Sequence, residues 1–90
     1  MAYPNPFNPE TETLTIKPSD STIFSGNVEY TIYNYNQRPV YSGSVSNSAI
    51  YWSGHKGNGN RVPPGLYIVK IIQTQNDYST GVGYIKVLVK

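Results

Sequence analysis

Apolar and polar residues alternate at every second position in several short runs of this chain, a period that builds strands and not helices. Glu12-Thr13-Leu14-Thr15-Ile16-Lys17 sets Leu14 and Ile16 on one side. Val28, Tyr30 and Ile32 alternate with Glu29, Thr31 and Tyr33 in a second run. Successive side chains of a strand point to opposite faces, so each run has one face for a core and one for water. Leu66 to Gln73 is apolar on both sides and is expected at the centre of a sheet. Shorter strands are expected from Val40 to Val45, at Ile50 and Trp52, and from Tyr84 to Val89.

Turn chemistry separates these runs. It lies at Pro18-Ser19-Asp20-Ser21, Asn34 to Pro39, Asn47-Ser48, the glycine-rich stretch 53–61 and Asn76-Asp77. Residues 1–10, with Pro4, Pro6 and Pro9, read as a proline-rich linker that becomes an edge strand, because proline fixes φ and lacks a donor. Residues 11–90 read as the folded body. About seven short strands, with turns roughly every 8–12 residues, predict an all-β, immunoglobulin-like β-sandwich of antiparallel strands.

Composition agrees. Eight Ile and eight Val stand against three Leu and one Met, and there are nine Tyr. Branched and aromatic side chains suit a pleated surface. Ninety residues make one domain, which buries roughly 60–70% of its unfolded surface. The seven Lys and Arg are scattered singly, so no basic stripe exists for a nucleic acid. No window approaches the roughly 18 apolar residues of a membrane-spanning helix. Nothing after Met1 reads as a signal peptide. Met1-Ala2 reads as a start placed before a piece of a longer chain, with Val89-Lys90 as its natural end.

Candidate chemistry is sparse. His55 is the single histidine and there is no cysteine, so a zinc site lacks its usual ligands. The nearest hydroxyl to His55 in sequence is Ser53, and no third group is in view to orient them. Glu10 and Glu12 point to the same side of an extended segment, about 7 Å apart, and calcium is the cation such oxygens suit. Gly54, Gly57 and Gly59 precede a strand and not a helix, so they fit an irregular turn better than a phosphate loop. These patterns predict no enzyme, no resident metal and no cofactor. Tyr30, Tyr67 and Trp52 are expected inside. Tyr33, Tyr35, Tyr41 and Tyr51 are expected outside, where their rings either brace the sheet or offer stacking platforms to a glycan.

Four segments together resemble one family. Tyr3-Pro4-Asn5-Pro6-Phe7-Asn8-Pro9 is similar to the opening signature of type A C-terminal sorting domains of the type IX secretion system. Tyr33-Asn34-Tyr35-Asn36-Gln37-Arg38-Pro39-Val40 resembles their middle strand and turn. Trp52-Ser53-Gly54, then Gly59, Val62, Gly65 and Tyr67, resembles their loop and following strand. Lys86-Val87-Leu88-Val89-Lys90 resembles their last strand. The Trp-Gly-Gly-Tyr pattern is also similar to the immunoglobulin-like domain of flagellar hook-capping proteins. Two positions depart: Gln37 stands where the family has glycine, which predicts altered turn geometry, and Ser53 where it has an acid that would anchor the loop.

The resemblance implies a non-catalytic module at the end of a secreted protein of Bacteroidetes-like bacteria. Its partners would be an N-terminally fused cargo and outer-membrane proteins of the secretion machinery. Its route would run through the periplasm to the cell surface or the medium, where such domains are often cut off as cargo is joined to lipopolysaccharide. Edge recognition is the expected mechanism: Tyr84, Ile85, Lys86, Val87, Leu88, Val89 and Lys90 would offer unpaired backbone to a receptor strand, with Lys86 and Lys90 aiding encounter. The same apolar edge would also pair with a second copy. Two other roles fit such a sandwich, a carbohydrate-binding module using Tyr33, Tyr35, Tyr41 or Tyr51 and a structural spacer.

Overall fold

The computed structural model describes residues 1–74 and 80–90; the expected turn at Asn76-Asp77 lies outside the described residues. Seven strands follow one another: β1 (Ala2–Tyr3), β2 (Leu14–Ile16), β3 (Asn27–Tyr33), β4 (Pro39–Ser46), β5 (Ile50–Trp52), β6 (Gly65–Thr74) and β7 (Thr80–Val89). They form two antiparallel sheets, β1-β2-β5 and β4-β3-β6-β7, and no helix occurs among the described residues. The chain is an all-β sandwich.

The period-2 runs turn their apolar sides to the space between the sheets. Leu14 and Ile16 from β2, and Ile50 and Trp52 from β5, meet Val28 and Ile32 from β3, Val69 from β6, and Val87 and Val89 from β7. β6 is central, flanked by β3 and β7. β7 begins at Thr80, earlier than Tyr84. Gly81 and Gly83 weaken the strand pattern locally, yet their partners Gln73 and Ile71 on β6 continue the ladder through them.

The β3–β4 hairpin corrects the expectation for Gln37. Gln37 has φ 64, the left-handed conformation a glycine would adopt there, so the turn keeps its geometry and the side chain carries the cost. Gln37 N–H donates to Asn34 O at 2.9 Å, Asn34 N–H to Arg38 O at 2.9 Å and Arg38 N–H to Asn34 Oδ1 at 3.0 Å. This is a three-residue hairpin loop whose last position is left-handed. The strand register shifts between Ile32 and Tyr33.

Candidate functional site

Of the first ten residues, Ala2–Tyr3 form the expected edge strand and Phe7 is buried in the core. β1 pairs with β2, Ala2 opposite Ile16 and Tyr3 opposite Thr15. The chain then crosses to the other sheet, where Phe7 bridges Val89 in parallel. Phe7 N–H donates to Leu88 O at 2.7 Å, and Lys90 N–H donates back to Phe7 O at 2.8 Å. Pro4 and Pro6 sit in the crossing and lack donors that a ladder would have used. Asn5 extends the pairing with its side chain: Nδ2 donates to Lys86 O and Oδ1 accepts from Leu88 N–H, both at 3.0 Å.

This clasp corrects the expected mechanism. The outward backbone groups of the last strand at Leu88, the Lys86 carbonyl and the Lys90 amide are already bonded to Asn5 and Phe7. An edge strand left bare templates unwanted pairing, and covering it is a common protection. Val87 and Val89 are buried and offer no side chain to a receptor. The alternation set by these bonds leaves Val82 and Tyr84 with outward backbone groups beyond the clasp.

Phe7 anchors the clasp. Its ring is fully buried, 5.9 Å from Trp52, and Trp52 is 6.0 Å from Tyr67 in an edge-on contact. Truncating such a ring to alanine costs about 3–5 kcal/mol, a large share of a small domain's stability. The polar handles of the cluster are satisfied: Trp52 Nε1 donates to His55 O at 2.9 Å, and Tyr67 hydroxyl donates to Pro63 O at 2.6 Å. Burial holds the Tyr67 phenol above its usual pKa. Gly54, at φ +83, lies against Pro9; a Cβ there would come within 2.6 Å of Pro9 Cβ.

The loop 53–61 is anchored by its own groups and by β4. Ser53 Oγ contacts His55 Nδ1 at 2.9 Å, Val62 N–H donates to Gly54 O at 2.9 Å, and His55 bridges Arg61. Gly57 N–H donates to Val40 O at 3.0 Å, and Gly59 N–H to Lys56 O at 2.9 Å. Ser53 and His55 thus meet, and no carboxylate hydrogen-bonds to His55 among the described residues. Glu10 and Glu12 have structural partners: Glu10 faces Arg61 Nη1 at 3.2 Å, and Glu12 accepts from Asn8 N–H at 2.8 Å. No cluster of three potential metal ligands occurs among the described residues.

The four candidate tyrosines do not share a platform. Tyr33 faces outward on the larger sheet, and Tyr35 is exposed at the hairpin tip. Tyr51 faces outward on the smaller sheet, opposite Thr15. Tyr41 departs from expectation: its partner is core-facing Ile32, so it turns to the inner side and stacks on Tyr30 with centroids 6.2 Å apart. Desolvation, then Tyr41's charge and hydrogen bond, raise the Tyr30 pKa. Tyr84, one of the expected edge residues, lies across the sheet face from Tyr33, the two bordering a groove of ≈ 320 Å³ with Asn34, Gln37, Ile68 and Lys70.

No known family profile and no curated protein matches this chain. Two solved structures are similar in fold. One is PorZ of Porphyromonas gingivalis, described as an essential bacterial surface component of the type IX secretion system. It matches at TM-score 0.69 and 23% identity over 100% of this chain. The chain spans 11% of PorZ. The other is FlgD of Xanthomonas campestris, described in hook capping for flagellar assembly, at TM-score 0.58 and 24% identity. That match covers 83% of this chain and 67% of FlgD. At these identities the likeness is one of fold.

Proposed function

We propose that this chain is a non-catalytic C-terminal sorting module that directs an N-terminally attached cargo across the outer membrane through the type IX secretion system. The observation that carries this reading is the convergence at Phe7. Three of the segments that resemble the sorting family are far apart in sequence, and they fold onto one another through Phe7, Trp52, Tyr67, Leu88 and Lys90. A fold likeness to a piece of PorZ supports the reading from a second side. The cargo would pass through the periplasm to the surface or medium. Lys86 and Lys90, exposed at the clasped end, would raise encounter rate and orient docking.

The test is a fusion of this domain to the C-terminus of a periplasmic reporter in a bacterium with a working type IX system. Reporter at the surface or in the medium, lost when the system is disabled, is the expected result. A folded fusion retained in the periplasm of a host that exports its own sorting domains would overturn it. Deleting Ile85 to Lys90 is a poor test, because it removes buried Val87 and Val89 and the partners of Phe7.

A second reading, glycan binding, draws on the groove between Tyr33 and Tyr84, where planar amides and aromatic rings meet. A polysaccharide pull-down with Tyr33→Ala and Tyr84→Ala separates it from sorting.

A further inference from the structure

β6 is apolar on both faces, but only one face is covered by the other sheet. Tyr67, Val69 and Ile71 enter the core, while Leu66, Ile68 and Ile72 lie on the outer face. β7 extends that face with Val82, Tyr84 and Leu88, which are 57%, 66% and 46% exposed. Pairing places Ile72 beside Val82, Lys70 beside Tyr84, Ile68 between Tyr33 and Lys86, and Leu66 beside Leu88. On the β4 side, by contrast, the outward residues include Ser42 and Ser44.

An antiparallel sheet with one wet face normally carries polar residues there. The β4 side does so and the β6–β7 side does not. A contiguous apolar area of this kind marks a contact site. Two lysines interrupt it, Lys70 and Lys86, and neither is in a salt bridge among the described residues. The groove beside Lys70 continues into a second one of ≈ 480 Å³ beside Lys86, with Gln37 and Ile68 bordering both.

We propose that this half of the face is where the secretion machinery docks, through a protein surface that sets apolar side chains against the Leu66–Ile68–Ile72 stripe and carboxylates against Lys70 and Lys86. The proposal rests on the sorting reading and names the kind of partner that reading requires. Branched aliphatic groups dominate the stripe, and they favour packing with protein side chains over stacking with sugar rings. Lysine is depleted at the centre of interfaces, so two of them amid apolar groups call for acidic counterparts. A second copy of this chain is a poor match, since among the described residues the carboxylate it offers on this face is Glu29, against two lysines.

The reporter fusion tests this with two separate variants, Lys70→Glu/Lys86→Glu and Ile68→Thr, against Tyr51→Ala on the opposite sheet. Thermal unfolding of each verifies the fold. The expected result is export lowered about tenfold or more by both face variants and unchanged by Tyr51→Ala. Wild-type export with both face variants exported normally overturns this docking face and leaves the sorting reading standing. Wild-type retention overturns the sorting reading and this partner with it. Retention of the wild-type domain in polygalacturonate gels, lost in the double variant while export is unaffected, makes an acidic glycan the occupant and overturns the proposal. A dimer in sedimentation that Ile68→Thr dissolves, with export again unaffected, does the same in favour of a second copy.

Discussion

The side-chain amide of Asn5 acts toward Leu88 as a neighbouring strand would: its Oδ1 takes the Leu88 N–H at 3.0 Å while its Nδ2 serves the Lys86 carbonyl, also at 3.0 Å. A residue near one end of the chain thereby closes the edge near the other. The strand that ends the domain is protected by the segment that begins it.

Asn5→Ala should therefore expose the Leu88 amide without disturbing the β6–β7 ladder. Hydrogen exchange should quicken at Leu88 and not at Val87, whose backbone groups face β6. The stability cost is expected at about 1–3 kcal/mol, the net worth of the two hydrogen bonds that Asn5 makes. Asn5→Asp keeps the acceptor and loses the donor, so Leu88 should stay protected. Equal exchange at Leu88 in all three proteins would remove the clasp from the account.

Gly54→Ala should destabilise the domain by about 2 kcal/mol or more, because a Cβ there would meet Pro9 Cβ at 2.6 Å on a backbone held at φ +83. Gly57→Ala is the matched control, since a Cβ at Gly57 would meet nothing within 4 Å. Urea unfolding followed by Trp52 fluorescence reads both, and a small effect at Gly54 would mean that the N-terminal segment shifts to accommodate it.

Gln37→Gly should stabilise the protein. A side chain at φ 64 costs about 1–2 kcal/mol, and the added freedom of glycine in the unfolded chain returns roughly 0.5–1 kcal/mol of that. The expected net gain of about 0.5–1 kcal/mol corresponds to a melting temperature raised by roughly 2–8 °C for a domain of this size. Thermal unfolding monitored by circular dichroism measures it.

Alkaline pH should unfold the domain through Tyr30 and Tyr67. Burial raises both above the usual phenol value of about 10, so the folded state holds their protons more tightly than the unfolded state. Below pH 10 both states keep the phenols neutral and stability is unaffected. Above it the unfolded chain loses protons first, and stability falls as pH rises through the folded-state values. Tyrosinate absorbance should show a late-ionising fraction that titrates together with unfolding, and Tyr67→Phe should reduce it.

Much of the architecture was legible in the sequence because strand faces follow a local rule. Leu14, Ile16, Val28, Tyr30 and Ile32 alternate, and each is buried. Tyr41 was misplaced because its face depends on its register against Ile32, next to a strand irregularity that no local pattern marks. The start of β7 was placed too late because Gly81 and Gly83 are poor strand formers by themselves, and only their partners on β6 hold them in the ladder. The candidate edge Tyr84–Lys90 is legible in its apolar character, but the occupancy of its last residues by Asn5 and Phe7 involves positions some eighty residues away.

An all-β chain with a modest core and inward faces at predictable positions can be read from the residues alone, because side-chain direction in a strand alternates with a period of two whatever the rest of the protein does. Which edge is closed, the left-handed conformation of Gln37 and the uncovered outer face of β6 and β7 emerge in the folded chain alone. Those depend on which strands become neighbours and where the chain crosses between sheets, and that choice is set by the packing of Phe7 on Trp52 and by hydrogen bonds between distant segments, none of which has a local period to read.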